Sequence, residues 1–157
     1  MRPSLIPPPV WMLIVGIAMW ELNRHGPVAT LISPPWNRLG WCVMAVAVVA
    51  PFVAIRKFGH AGTTVNPHHP EQTSALVTGG IYAWTRNPMY LGLAILLIGW
   101  AISLGTITPF VGAVLFVPLI EWVQIRPEEH VLRERFGKGY VDYCARVNRW
   151  LGRRMHS

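Results

Sequence analysis

Residues 76–92 read LVTGGIYAWTRNPMYLG, and the rest of the chain is organised around them. The stretch lies where a polar connection meets the third long apolar run. It packs a Gly-Gly turn, two tyrosines, an arginine and an Asn-Pro pair into a segment that an ordinary membrane-edge loop has no packing reason to furnish so heavily. Asn87-Pro88 reads as a helix start, with Asn at the cap and Pro at the first helical position. The run that follows, 89–104, ends at Gly105-Thr106, and a fourth run occupies 107–125 with Pro109 near its start. So short a link predicts a tight antiparallel hairpin between the third and fourth runs.

Outward from there, two more apolar runs precede the stretch. Residues 10–22 follow the Pro7-Pro8-Pro9 cluster, and Pro9 can open a helix there. This run is short for a span, which needs about 20 residues, and Leu5 and Ile6 extend it. Residues 39–55 form the second run, closed by Arg56 and Lys57 and kinked at Pro51. Residues 60–75 form a polar connection. His68-His69 in it lacks a third ligand at useful spacing, so no metal site is expected. No cleavable signal peptide is expected before the first run, which reads as a retained helix.

Composition agrees. The chain has 157 residues, 52% of them hydrophobic and 13% charged, with eight tryptophans. Soluble domains carry about 25% charged residues. The formal charge of +7 does not mark a nucleic-acid binder, because the basic residues flank apolar runs instead of forming a stripe. Cys42 and Cys144 make no disulfide framework. With both termini on one side, all the lysines and arginines except Arg24 and Arg38 fall on that side, which the positive-inside rule makes cytoplasmic. The expectation is an all-α membrane protein forming one integral-membrane domain over 1–157. Residues 1–57 supply two spans; residues 58–157 supply two more and the cofactor-binding half.

The tail, 126–157, carries RPEEHVLRERFGKGYVDYCARVNRW at 126–150. Pro127 followed by Glu128 and Glu129 reads as a new helix whose dipole favours carboxylates in its first turn. Leu132 and Phe136 share the side of those acids. Gly137 and Gly139 interrupt this helix, and Tyr140, Tyr143 and Val147 share a face of a second short one. Arg149, Arg153 and Arg154, beside Trp150 and Leu151, suit docking at the lipid interface. Glu121, inside the fourth run, either pairs with Arg126 or lines a cavity for the substrate.

The loop and the tail together offer a helix N-terminus, paired carboxylates and aromatic faces. These suit a ligand containing adenine, ribose, an ammonium and a carboxylate. No glycine-rich phosphate loop is present. The two blocks, over roughly 63–150, resemble the integral-membrane methyltransferases of the isoprenylcysteine carboxyl methyltransferase and phospholipid methyltransferase group. That resemblance implies S-adenosylmethionine as cofactor, bound on the cytoplasmic side of what is read as a bacterial inner membrane. It implies a lipophilic methyl acceptor reached between helices, with membrane lipids as surroundings. It places cofactor-binding residues at Gly79, Tyr82, Asn87, Pro88, Tyr90, Leu91, Glu128, Glu129, Tyr140 and Tyr143, and catalytic residues at Arg86 and Glu129. The motifs also cover Gly92, Leu132, Phe136, Gly137 and Arg146. Two positions depart from the pattern: Asn87 stands where many members have His, and Gly80 where Pro is common.

If the acceptor is a carboxylate, Arg86 can orient it and no base is needed. An amine acceptor needs a base, and Glu128 or Glu129 is the nearest candidate. One alternative is an NADPH-dependent membrane reductase of the sterol-reductase type. A 2′-phosphate would want more local Arg or Lys than this loop offers. The other is a non-catalytic membrane protein.

Overall fold

A computed structural model describes residues 6–59 and 76–153. The connection containing His68-His69 lies outside the described residues, as do Arg2 and Arg154. Five α-helices follow one another: α1 (Pro8–His25), α2 (Leu39–Gly59), α3 (Pro88–Leu104), α4 (Thr108–Ile120) and α5 (Arg126–Arg146). Among the described residues no strand forms; the two β-bridges, Thr30 with Thr106 and Val147 with Arg153, are isolated.

Helices α1 to α4 form an up-and-down bundle in which α3 is central, packing on α2, α1 and α4. The hairpin expected between the third and fourth runs is present. It turns at Gly105, whose φ of +78° lies in the left-handed region. The carbonyl of Gly105 accepts from Leu31 and Ile32 N–H at 2.8 and 2.9 Å. The α1–α2 connection therefore caps the same end of the bundle as the α3–α4 turn. The opposite end holds the start of α3, the end of α4 and the whole of α5.

The core includes Met19, Leu97, Ala101, Phe116, Ile120 and Ile125. Outside it, Leu13, Ile17, Trp41, Val46, Val111, Val114 and Trp122 are all exposed. Soluble monomers rarely leave so continuous an apolar surface open to water. Among the described residues one helical run, Thr108–Arg146, is long and apolar enough to cross a membrane; Trp36–Val49 and Pro88–Leu104 are shorter apolar helices.

Helices α2 and α3 meet through small residues, as helices do where dispersion instead of hydrophobic exclusion holds them. A Cβ at Gly40 would lie 2.3 Å from the Gly99 carbonyl oxygen, whereas one at Gly16 would meet only Leu97 Cδ2 at 3.7 Å. Gly40→Ala is therefore expected to cost about 1–3 kcal/mol by overpacking, and Gly16→Ala little. Thermal unfolding in detergent distinguishes them, and equal midpoints would refute this account of the α2–α3 contact.

Three features of the second half differ from the sequence reading. First, the tail does not begin a new helix at Pro127. Helix α4 runs through a π-turn, Glu121–Ile125, directly into α5. The Arg126 N–H bonds to the Glu121 carbonyl, five residues back. The wider turn relieves the clash a proline ring makes with the preceding turn. Glu128 and Glu129 thus face no free helix N-terminus, and the dipole argument for them fails. Second, the break in α5 is at Gly137 alone (φ 51°, ψ −124°); Gly139 continues the helix. Third, Asn87 occupies the cap position of α3 without a side-chain cap bond. Its amide instead donates to the Arg149 carbonyl at 3.1 Å.

Candidate functional site

The loop before α3 is shaped by its glycines. Gly80 has φ of +61°, a value closed to proline. A short 3₁₀ turn, Gly80–Ala83, follows. Thr85, buried, accepts the Asn87 N–H at 3.1 Å and donates to the Arg149 carbonyl at 3.4 Å. The chain leaving α5 then straps itself across this loop. Arg86 N–H donates to the Asn148 carbonyl at 3.2 Å, and Gly152 N–H to the Trp84 carbonyl at 2.8 Å. Two segments separated by about 60 residues are thereby fastened to each other by their main chains.

Beneath the strap lies an ionic cluster. Glu129 is 9% exposed. It accepts both Arg149 Nε (3.0 Å) and Arg149 Nη2 (2.6 Å), a bidentate pair, and Arg86 Nη1 lies 3.0 Å from its Oε1. Such pairs fix orientation as well as charge. Arg149 Nη1 also donates to Glu121, which Arg126 approaches at 3.5 Å and Trp150 Nε1 at 3.4 Å. The bond to Glu129 first, and the charges of Glu129 and Glu121 after it, hold the Arg149 guanidinium above its ordinary pKa despite partial burial. Arg86 also contacts Cys144 Sγ. Its Nε is buried without a partner, as is the Oε1 of Gln124 in the π-turn. A buried polar atom left unpaired is costly, so these two mark places where a ligand has something to satisfy.

Glu128 is held differently. Tyr90 Oη donates to it at 2.6 Å. Burial pushes its carboxyl up to about 7, with Glu129's charge adding to the rise and the Tyr90 and Gln124 bonds opposing it. Burial also raises the Tyr82 phenol to about 12, helped by the Glu128 charge. Because the carboxyl of Glu128 is raised on folding, its stabilising contribution is complete below about 4.5 and is lost as pH climbs through about 7. The wild-type thermal midpoint should therefore fall relative to Glu128→Gln across that window. Parallel profiles for the two proteins would remove the assignment.

The residues named from the sequence do gather here, though unequally. Arg86, Asn87, Glu128, Glu129 and Tyr90 share the cluster or its border. Tyr140 and Tyr143 are buried in a second small core with Val147, against which Leu76, Tyr82, Leu132 and Phe136 pack. Tyr143 Oη donates to the Tyr82 carbonyl at 2.7 Å. Gly79 is exposed at the rim, Pro88 is buried in the first turn of α3, and Leu91 joins through its N–H on the Asn87 carbonyl. Arg149, read from the sequence as a lipid anchor, is instead the hub of the ion pairs. Gln124 and Thr85 were not singled out at all. Nothing local marks them: Gln124 sits in an apolar run, and only its register four and five residues before the acids places it there.

A cavity of about 320 Å³ opens beside the strap, lined by Thr78, Ala83, Tyr143, Arg146, Val147 and Arg153.

Comparison with known proteins supplies the family. The protein-S-isoprenylcysteine O-methyltransferase of Rattus norvegicus is 34% identical over 110 residues, covering 69% of this chain and 36% of that one. This chain thus spans little more than a third of the rat protein's length. A probable protein-S-isoprenylcysteine O-methyltransferase of Oryza sativa subsp. indica is 26% identical over 150 residues, covering 94% of this chain and 78% of its own. An uncharacterized protein of Haemophilus influenzae, 38% identical over 63 residues, is matched along its whole length by 40% of this chain. The phospholipid methyltransferase family model matches residues 36–139, which take in α2, α3, α4 and the first half of α5 with Glu128 and Glu129. The chain belongs to the phospholipid methyltransferase family.

Proposed function

We propose that the protein transfers a methyl group from S-adenosylmethionine to a lipophilic acceptor at the cytoplasmic face of a membrane. In this reading α1 to α4 each cross the bilayer, and both termini lie on the side of α5. The observation that carries it is the pair of unsatisfied buried atoms, Arg86 Nε and Gln124 Oε1, flanking a carboxylate cluster at one end of an apolar bundle. The acids and the open Gln124 oxygen suit the sulfonium and ammonium of S-adenosylmethionine, and the open Arg86 N–H suits one carboxylate, that of the donor or that of the acceptor.

The donor supplies an activated methyl on a sulfonium; the chain supplies position and charge. Glu128 is engaged by neutral groups, the Tyr90 phenol and the Gln124 side chain, and among the described residues by no guanidinium, so its carboxylate remains the more available partner for a cation. Glu129, held by Arg86 and Arg149, acts by keeping Arg86 in place. Methyl transfer is an in-line displacement, and holding the reactants in line supplies most of the rate. Arg86 Nε–H suits an acceptor carboxylate of the isoprenylcysteine type, which needs no base. A phospholipid amine would instead lose its proton to Glu128.

Isothermal titration of the detergent-solubilised protein with S-adenosylmethionine and S-adenosylhomocysteine tests the reading. Saturable binding lost in Glu128→Gln is the expected result. Binding of NADPH with none of either methyl-donor ligand would transfer the site to the reductase alternative. A transfer assay with labelled donor and a lipid extract then identifies the acceptor.

A further inference from the structure

We propose that the cavity beside the strap is a separate binding site for the headgroup of an anionic phospholipid. It does not rest on the methyltransferase reading. The charge arrangement carries it. Arg86 and Arg149 are neutralised by Glu129 and Glu121. Arg146 and Arg153, which line the cavity, have no carboxylate partner among the described residues. Arg146 uses Nε on the Asp142 main-chain carbonyl at 3.3 Å, and Arg153 uses Nε on the Ala83 carbonyl at 3.1 Å. Both bonds fix the stems and leave the outer nitrogens of each fork unengaged. Two like charges thus line one space of about 320 Å³ with the Thr78 side chain beside them. Guanidinium forks match phosphate oxygens geometrically, and an anion between them removes their repulsion.

The surroundings select a lipid. Trp84, next to the cavity, is 58% exposed and lies under the Arg153 guanidinium at 5.2 Å; Leu151, two residues from Arg153, is 64% exposed. An open indole and an open leucine beside paired arginines suit the headgroup level of a bilayer. The cavity also sits at the end of the bundle where α3 starts and the apolar part of α4 has ended. A lipid phosphate in the adjoining leaflet reaches the arginines there while its chains run along the exposed helix faces. Bound between α5 and the loop, it would clamp the strap over the ionic cluster.

The full chain in detergent would be titrated with short-chain phosphatidylglycerol and, separately, phosphatidylcholine and inorganic phosphate, with bound lipid counted by native mass spectrometry. One saturable phosphatidylglycerol is expected. Arg146→Gln should weaken it by about tenfold or more, as should Arg153→Gln, each removing a charged hydrogen-bond donor. Arg133→Gln/Arg135→Gln, on the exposed side of α5, should leave it unchanged. If Arg153→Gln fails to fold, because Arg153 also holds Ala83, Arg146→Gln carries the test. Equal retention of phosphatidylcholine would overturn the proposal, as would unchanged binding in Arg146→Gln or an equal loss in the Arg133/Arg135 control. Inorganic phosphate binding as tightly would make this a free-anion site and overturn the lipid assignment. Displacement of the lipid by S-adenosylhomocysteine would give the cavity to the cofactor and overturn it likewise.

Discussion

Glu129→Ala should be the most damaging single substitution outside the apolar core. The carboxylate is nearly buried and receives three nitrogen contacts from two arginines. Removing it leaves Arg86 with no carboxylate partner among the described residues and Arg149 with Glu121 alone. Deleting one partner of a buried ion pair costs about 3–5 kcal/mol, and here the same deletion also removes the bidentate partner of Arg149. The damage should spread along a defined route. Arg149 holds the loop not only by its side chain but by its carbonyl, which Thr85 and Asn87 share. Once Arg149 is released, the strap loosens from the start of α3. The thermal midpoint in detergent should drop by several degrees, and ligand binding should fall about a hundredfold or more. Glu134→Ala is the control: its carboxylate is 69% exposed and pairs only with His130, so its loss should cost less than about 0.5 kcal/mol. Normal midpoint and binding in Glu129→Ala, at normal expression, would mean that the ionic cluster is not what joins the loop to the tail.

The parts of this arrangement that were legible in the sequence are those written in local chemistry. A two-residue link with Gly105 announces the hairpin. Asn87-Pro88 announces the start of α3, and Gly137 the bend of α5, since its φ and ψ belong to a region in which a side chain is strained. The pairing of Tyr140, Tyr143 and Val147 follows from helical spacing. What was illegible depends on a change of helical pitch or on distance along the chain. Pro127 fits the first turn of a helix and equally a helix whose preceding turn has been widened. The π-turn that decides between them leaves no periodic signal of its own. That is why the sequence adds a dipole match to the reading of Glu128 and Glu129, where the structure shows a phenol on the one and two guanidiniums on the other.

Arg149 shows the second kind of loss. Beside Trp150 and Leu151 it has the composition of an interfacial anchor, and nothing in its neighbours points inward. It reaches Glu129, 20 residues earlier, only because the bend at Gly137 and the reversal at Gly152 (φ 101°) fold the tail over the loop. Asn87 does take the cap position of α3, but its side chain makes no cap bond for the same reason: the strap brings the Arg149 carbonyl within reach of its amide N–H, and the side chain turns to donate there. Tertiary placement here overrides two sound local preferences, and both lie at the junction of the loop and the tail.

Arg86→Lys separates charge from shape at this junction. Lysine keeps the positive charge that Glu129 requires, so the fold should persist with a midpoint within a few degrees of wild type. It cannot supply the rest. The Arg86 side chain is only 10% exposed, with Nη1 committed to Glu129 and Cys144 while Nε remains unpaired. A guanidinium presents donors in two fixed directions, one for the protein and one for a ligand; an ammonium is a point charge that follows its strongest partner. It would turn to Glu129 and leave the ligand direction empty. Loss of one preorganised donor to reacting groups typically costs about 10²–10³ in rate. The expected result is therefore a fall of about a hundredfold or more in kcat/KM for methyl transfer with little change in stability. Arg86→Ala should lose both, because Glu129 then keeps Arg149 alone. Transfer from labelled donor into a lipid extract, measured alongside thermal midpoints, gives the two readouts. Wild-type turnover in Arg86→Lys would show that only the charge at this position matters, and the orphaned Nε would lose its claim as a ligand contact.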